Sequence, residues 1–240
     1  MKIKKSSELL WLMGIVFVAL GVSICSKADL GVSMIAAPAF VVSEAISPIW
    51  SGFSVGVTEY MIQGVLLIIL CISVRKFDAR YLLAFAVAVI YGYVLDFFVF
   101  ITAPISFDSL WLRYVMLIVG DIITAFGVAC FFRTYMPLQV YELFVDEIAK
   151  SFKITISKTK SSFDISLLLI SVLLSLTLFD GIRMEDITQI AFKSFHSIGL
   201  GTLITTIINT PLIVIMGKLI DKIFETTPLL KGFEKALKRK

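Results

Sequence analysis

Six apolar runs, each close to the roughly 20 residues that a helix needs to cross a bilayer core, constrain this 240-residue chain more than any other feature. They fall near residues 8–26, 55–74, 81–102, 111–132, 162–179 and 195–219. Only 17% of residues are charged and mean hydropathy is +0.96. A soluble domain carries about a quarter charged residues, so charge this sparse cannot cover a water-soluble globule. The expected fold is all-α: one transmembrane domain over 1–240, a bundle of about six helices in lipid.

Lysine and arginine set the orientation. With the first residue inside, eighteen of the 22 basic residues fall in inner segments and four (Lys27, Arg113, Arg183, Lys193) in outer ones. This bias predicts a multi-pass protein of the bacterial cytoplasmic membrane with both termini cytoplasmic. It also explains the net charge of +4 without nucleic acid. The basic start, Met1-Lys2-Ile3-Lys4-Lys5, resembles a secretory signal. The run from Leu9 to Cys25 is longer than a signal core, and no small-x-small site follows, so it reads as an uncleaved first span. Cys25, Cys71 and Cys130 are widely spaced and contain no CxxC, which predicts free thiols and neither a disulfide framework nor a metal site.

Two stretches are too short or too broken to span. Met34 to Trp50 is interrupted by Pro38, Glu44 and Pro48. Val140 to Lys150 is amphipathic, with Glu142, Asp146, Glu147 and Lys150 set against Leu143, Phe144 and Ile148. Both read as interfacial or re-entrant helices; the first is equally a cavity wall or a surface helix.

The order of elements repeats. Gly21-Val22-Ser23 to Gly31 sits beside Gly127-Val128-Ala129 to Pro137. Each is a span ending in a basic residue, then a break, then a mid-length helix, then a span with an acid near its start, Glu59 or Asp164. Three spans per half place the halves, 8–102 and 111–222, in opposite orientation. That predicts a 3+3 inverted repeat, an architecture of secondary transporters with sites near the midplane.

Ionisable groups in a bilayer cost about 2.5–3.5 kcal/mol each at a helix centre on insertion scales, and are functional candidates by default. Asp121 lies at mid-depth of the fourth run, with no lysine or arginine expected at its level. It is therefore protonated, bonded to hydroxyls, or solvated in a cavity; the alternative to function is a neutral acid acting as interhelical glue. Asp96 lies toward the outer side of the third run. Glu59 and Gln63 share one face of the second, and Asp164 begins the fifth. Thr202, Thr205, Thr206 and Asn209 form a stripe on one face of the sixth, ahead of Pro211, which is expected to kink the helix; the plainer reading is hydroxyls bonded back to their own helix. Lys27 and Arg133 read as snorkelling residues, and His196 as interfacial. There is no phosphate-binding Gly-Lys-Ser/Thr motif, no HExxH and no Ser/His pair, so neither an enzyme nor a cofactor is expected.

At Lys27-Ala28-Asp29-Leu30-Gly31-Val32-Ser33, Gly56-Val57-Thr58-Glu59-Tyr60, Tyr91-Gly92-Tyr93-Val94-Leu95-Asp96, Lys160-Ser161-Ser162-Phe163-Asp164 and Gly199-Leu200-Gly201-Thr202 the chain resembles the YitT/YczE-like bacterial membrane proteins. The resemblance implies a cytoplasmic-membrane protein with no settled substrate. It marks Lys27, Asp29 and Gly31 as a helix-break turn, and Arg133 to Pro137 departs from a matching turn in the second half. The leading expectation is a small secondary transporter or permease for a small polar or cationic solute, coupled to protons. The alternative is a non-transporting partner that stabilises or regulates another membrane complex, docking through the Val140–Lys150 helix and the basic tail from Lys231. Expected partners are the lipid bilayer and a small solute, with a homo-oligomer also compatible.

Overall fold

The computed structural model describes residues 3–179, 193–229 and 232. The acidic stretch from Asp180 to Asp186, with Arg183, and the tail from Lys231 fall outside the described residues, apart from Gly232. Six long helices carry the apolar runs: α1 (Ser7–Lys27), α3 (Val55–Val74), α4 (Arg80–Thr102), α5 (Leu110–Phe131), α7 (Ile156–Leu178) and α8 (Leu200–Ile223). Two short helices, α2 (Ala37–Ile46) and α6 (Val140–Phe152), follow α1 and α5. Strands β1 (Ile3–Ser6) and β2 (Phe224–Thr227) pair in parallel and tie the two described ends of the chain to one end of the bundle.

Local chemistry sets the boundaries. Ser6 and Ser54 cap α1 and α3 by accepting from the N–H groups of Leu9 and Val57. Pro38 sits in the first turn of α2, where its missing N–H costs nothing. Arg75 and Lys153 end α3 and α6 in left-handed conformation. Two boundaries differ from expectation. Helix α7 begins at Ile156, so Lys158 and Lys160 lie in its first turns and not in a loop. Helix α8 begins at Leu200, because Phe195–Ile198 forms a tight turn with His196 and Ser197 at positive φ. It runs on through Pro211.

Half or more of α1 and of α5 is buried, against about a third of the other long helices. This central pair packs tightly because facing glycines let backbones touch. A Cβ on Gly14 would stand 3.2 Å from the Gly127 carbonyl oxygen, and one on Gly21 only 2.5 Å from that of Gly120. Around the pair, α1 packs on α4 and α5 on α8. Helix α2 packs on α3 and α7, α6 packs on α7 and α3, α3 on α4, and α7 on α8. The outer faces carry exposed Ile68, Ile72, Phe97, Phe100, Leu169, Leu173, Ile207 and Ile215. Apolar surface of that extent belongs against lipid.

Candidate functional site

The chain breaks that precede α2 and α6 are anchored from both halves. In the first, Asp29 (φ 49°) and Gly31 (φ 103°) turn the backbone. Arg113 donates through Nε to the Ala28 carbonyl (2.6 Å) and pairs with Asp29 (2.8 Å). Ser194 Oγ donates to Asp29 Oδ1 (2.6 Å), and Gly201 N–H to the Leu30 carbonyl (2.8 Å). In the second, Arg133 grips Asp221 through two bonds of 2.7 and 2.8 Å. Trp11 Nε1 donates to the Pro137 carbonyl (2.9 Å), and the Val140 N–H to Gln63 Oε1 (3.3 Å).

Between the two breaks lies a small cavity of about 20 Å³ lined almost wholly by buried residues. Ser33, Ile35 and Ala36 approach it from the first break, and Gln139, Tyr141 and Glu142 from the second. Glu59, Tyr91 and Asn209 line it from α3, α4 and α8. Glu59 is 1% exposed and Glu142 4%. Gln63 and Tyr141 flank Glu59. Both reach the Glu59 carboxyl as hydrogen-bond donors, while Glu142 Oε2, Asn209 Oδ1 and Gln139 Nε2 have no hydrogen-bond partner. Buried polar groups are nearly always paired, so this cluster of exceptions singles out the cavity as the candidate site. Beyond the cavity wall, Asn209 Nδ2 donates to Asp121 Oδ1 (2.7 Å), and Lys160 Nζ donates to Asp164 Oδ1 (3.2 Å) with Thr210 alongside.

Larger open cavities flank this centre. One of about 550 Å³ lies at the Lys27 end of α1, lined by Lys27, Glu44, Lys193 and His196 among others. Another of about 360 Å³ lies at the other end, beside Arg80, Tyr135, Asp146 and Lys150. His196 is held at the first mouth, with Nδ1 bonded to Glu44 (2.9 Å) and its ring stacked on Phe179.

The residues singled out from sequence divide. Glu59, Gln63, Asp121, Asn209 and Asp164 converge on the centre. Asp96 stands apart: it accepts from Ser54 Oγ (2.6 Å) and Gly56 N–H (2.8 Å), and so holds the start of α3. Thr205 and Thr206 bond back to the Thr202 carbonyl, while Thr202 accepts from Gly199 N–H at the start of α8. Asp29 and Gly31 shape the first break, and Lys27 lines the outer mouth.

One expectation needs correction. A basic residue does reach the level of the acids: Lys160 is only 5% exposed, because α7 starts a turn and a half earlier than its hydropathy indicates. Of the two readings of α6, interfacial or re-entrant, the burial of Tyr141, Glu142, Val145 and Asp146 agrees with the re-entrant one. Gln139, Tyr141, Glu142 and Lys160 were missed from sequence. Only the Lys160–Asp164 spacing of four residues was a readable signal.

These features define a polytopic helical membrane protein with two broken elements meeting at a buried polar centre. The chain belongs to the DUF6198 family, a family of unknown function, whose pattern matches residues 5–218. No curated protein and no solved structure matches it significantly.

Proposed function

We propose that the protein is a small secondary transporter of the cell membrane. It moves a small polar or cationic solute, takes up a proton on a buried carboxyl, and has both chain ends in the cytoplasm. The observation that carries this reading is the small cavity beside the buried Glu59 and Glu142 carboxyls, with two open cavities at opposite ends of α1. In this reading the two open cavities are the ends of a path occluded at its midpoint, as alternating access requires of one of its states.

An inverted repeat supplies the means. Gly14 and Gly120, and Gly21 and Gly127, are each 106 residues apart. Gly14 meets Gly127 while Gly21 meets Gly120, the reciprocal contact of a two-fold axis. Under that pairing α1–α4 corresponds to α5–α8, and the helix contacts correspond as well. α1 on α4 matches α5 on α8, and α2 on α7 matches α6 on α3.

The rival reading, a docking partner for another complex, keeps only the outer face of α6 around Phe144, Ile148 and Phe152, since the face with Glu142 and Asp146 is buried. The test is flux in proteoliposomes under an imposed pH gradient, over a panel of small amines, amides and inorganic cations. Asp121→Asn keeps a partner for Asn209 but removes the titrating group, and should abolish gradient-driven flux. Normal transport by this variant would remove Asp121 from the mechanism.

A further inference from the structure

A recess on the surface of the bundle lies between α3, α6 and α7. Its volume is about 500 Å³, within the range of about 300–1,000 Å³ that holds small-molecule ligands. Leu66 and Ile69 of α3, Phe144 and Ile148 of α6, and Leu167 and Ile170 of α7 make its walls. The hydroxyls among them do not change this character. Thr159 and Ser166 donate to the carbonyls of Thr155 and Ser162 in their own helix (3.3 and 2.9 Å). Ile69 and Ile170 are exposed, so an apolar recess opens where the long helices face lipid. From Lys158 to Ile170 it follows α7 for about 18 Å at the helical rise. One leaflet's share of a roughly 30 Å hydrocarbon core is about 15 Å. The recess therefore has the depth of an acyl chain.

Charge chooses the headgroup. Lys158 lines the recess at the start of α7, and Lys153 precedes Ile154, another of its lining residues. At this end of the bundle Arg80, Arg133 and Lys150 pair with Asp78, Asp221 and Asp146. Lys153 and Lys158 are exposed and have no carboxylate partner among the described residues. No side chain caps the start of α7, so the N–H groups of its first turn add to the attraction for an anion. We propose that this recess binds one anionic phospholipid. Its acyl chain lies along α7 against Phe144 and Leu167, and its phosphate sits at Lys153, Lys158 and the first turn of α7. A zwitterionic lipid fills the recess equally well but brings its own cation to the two lysines. The site rests on the chain crossing a bilayer and not on transport. Its floor leads toward the centre: Phe144 and Phe163 stack at 5.0 Å, and Phe163 meets Tyr141 at 6.2 Å. On the transport reading, a chain seated there also bears on the packing that holds Tyr141 at Glu59.

The test uses the purified full-length protein, delipidated in detergent. Phosphatidylglycerol and phosphatidylcholine with the same acyl chains are titrated in at low salt. Bound lipid is counted by native mass spectrometry beside thermal melting. Phosphatidylglycerol should be retained at one per chain and raise the melting temperature saturably, by a few degrees more than phosphatidylcholine does. That preference should shrink as salt rises. Lys153→Gln/Lys158→Gln should cut it about fivefold per lysine, while melting as wild type does without lipid, since both side chains are exposed. Ser166→Trp fills the recess from an exposed position and should remove bound phospholipid of either kind. Equal retention of the two lipids by wild type, or an undiminished preference in the double-lysine variant, would overturn the proposal. A lipid-free dimer that Ser166→Trp splits into monomers would overturn it too, and assign the recess to a second copy. Lipid preference without flux in liposomes keeps the recess and removes the transport reading; flux without lipid preference does the reverse.

Discussion

Substituting Gly21 by alanine inserts one methyl group at the tightest point of the central helix pair. Its Cβ would stand 2.3 Å from Thr124 Oγ1, 2.5 Å from the Gly120 carbonyl oxygen and 2.7 Å from the Thr124 nitrogen. Ordinary contact begins near 3.4 Å, and two of the three neighbours are backbone, so no side chain can rotate clear. The helices must part by about 1 Å at this level, which forfeits a quarter to a half of each dispersion contact along the crossing. Overpacking of this kind costs about 1–3 kcal/mol, less about 1 kcal/mol or under recovered from alanine's better helix propensity. The expected fall in melting temperature is roughly 2–8 °C for a chain of this size, read by intrinsic tryptophan fluorescence in detergent. Gly127→Ala, its partner under the proposed two-fold, meets Val18 N at 2.7 Å and the Gly14 carbonyl oxygen at 2.9 Å, and should fall by a similar amount. Gly64→Ala is the control: its nearest neighbour is the Phe85 ring edge at 3.2 Å, which can move, so its melting temperature should hold or rise. If both central variants behave like the control, the crossing does not hold the bundle. If only one of the pair is sensitive, the two-fold is wrong.

Two further perturbations separate structure from chemistry. Asp121→Ala strands the Asn209 amide in the core and should cost about 1–2 kcal/mol, whereas Asp121→Asn keeps an acceptor and should lose less than half of that in thermal melts. Equal losses would assign the carboxylate to holding helices together. At the start of α4, Arg80 holds the Asp78 carboxyl down at about 2, and Asp78 accepts from the Arg80 N–H (2.9 Å). The ionised form is the one the fold prefers. Its contribution is therefore complete above the ordinary carboxylate range near pH 4 and disappears as pH falls through 2. The melting-temperature gap between wild type and Asp78→Ala should be small, because the pair is solvent-screened, and should close between pH 4 and pH 2. A gap unchanged over that interval would leave the cap independent of charge.

The spans were legible because lipid imposes a length and a composition on each helix separately. Their errors have local causes. The Ser157-Lys158-Thr159-Lys160-Ser161-Ser162 run is polar by composition, yet Thr155 opens a helix there and Lys160 is carried inward onto Asp164, four residues on. The centre was legible only in part. The stripe on α8 marked Asn209, but its partner Asp121 is 88 residues away, and no local pattern joins them. Glu142 was read with Glu147 and Lys150 as one polar face, because an amphipathic helix shows which residues share a side and not whether that side meets water or a cavity. Here Glu142 and Asp146, one turn apart, are buried together, and the start of α6 reaches the cavity. Whether a break leads a helix into the bundle or along its surface is decided by long-range contacts such as Trp11 to Pro137 and Gln63 to Val140.

On the transport reading, the acids of the centre have a use that holding helices together does not supply. Helices in lipid associate well through small residues and neutral hydrogen bonds, and the α1–α5 crossing already does so through glycines. Amides and hydroxyls would tie α3, α6 and α8 together without the roughly 2.5–3.5 kcal/mol that each acid costs at the bilayer centre. Yet four acids, Glu59, Asp121, Glu142 and Asp164, are buried there, and among the described residues Lys160 is the only buried lysine or arginine. A chain that had only to hold its shape would have no use for the imbalance. On the transport reading the imbalance is needed, because an ion pair complete within the protein would leave nothing for a proton or a cationic solute to neutralise.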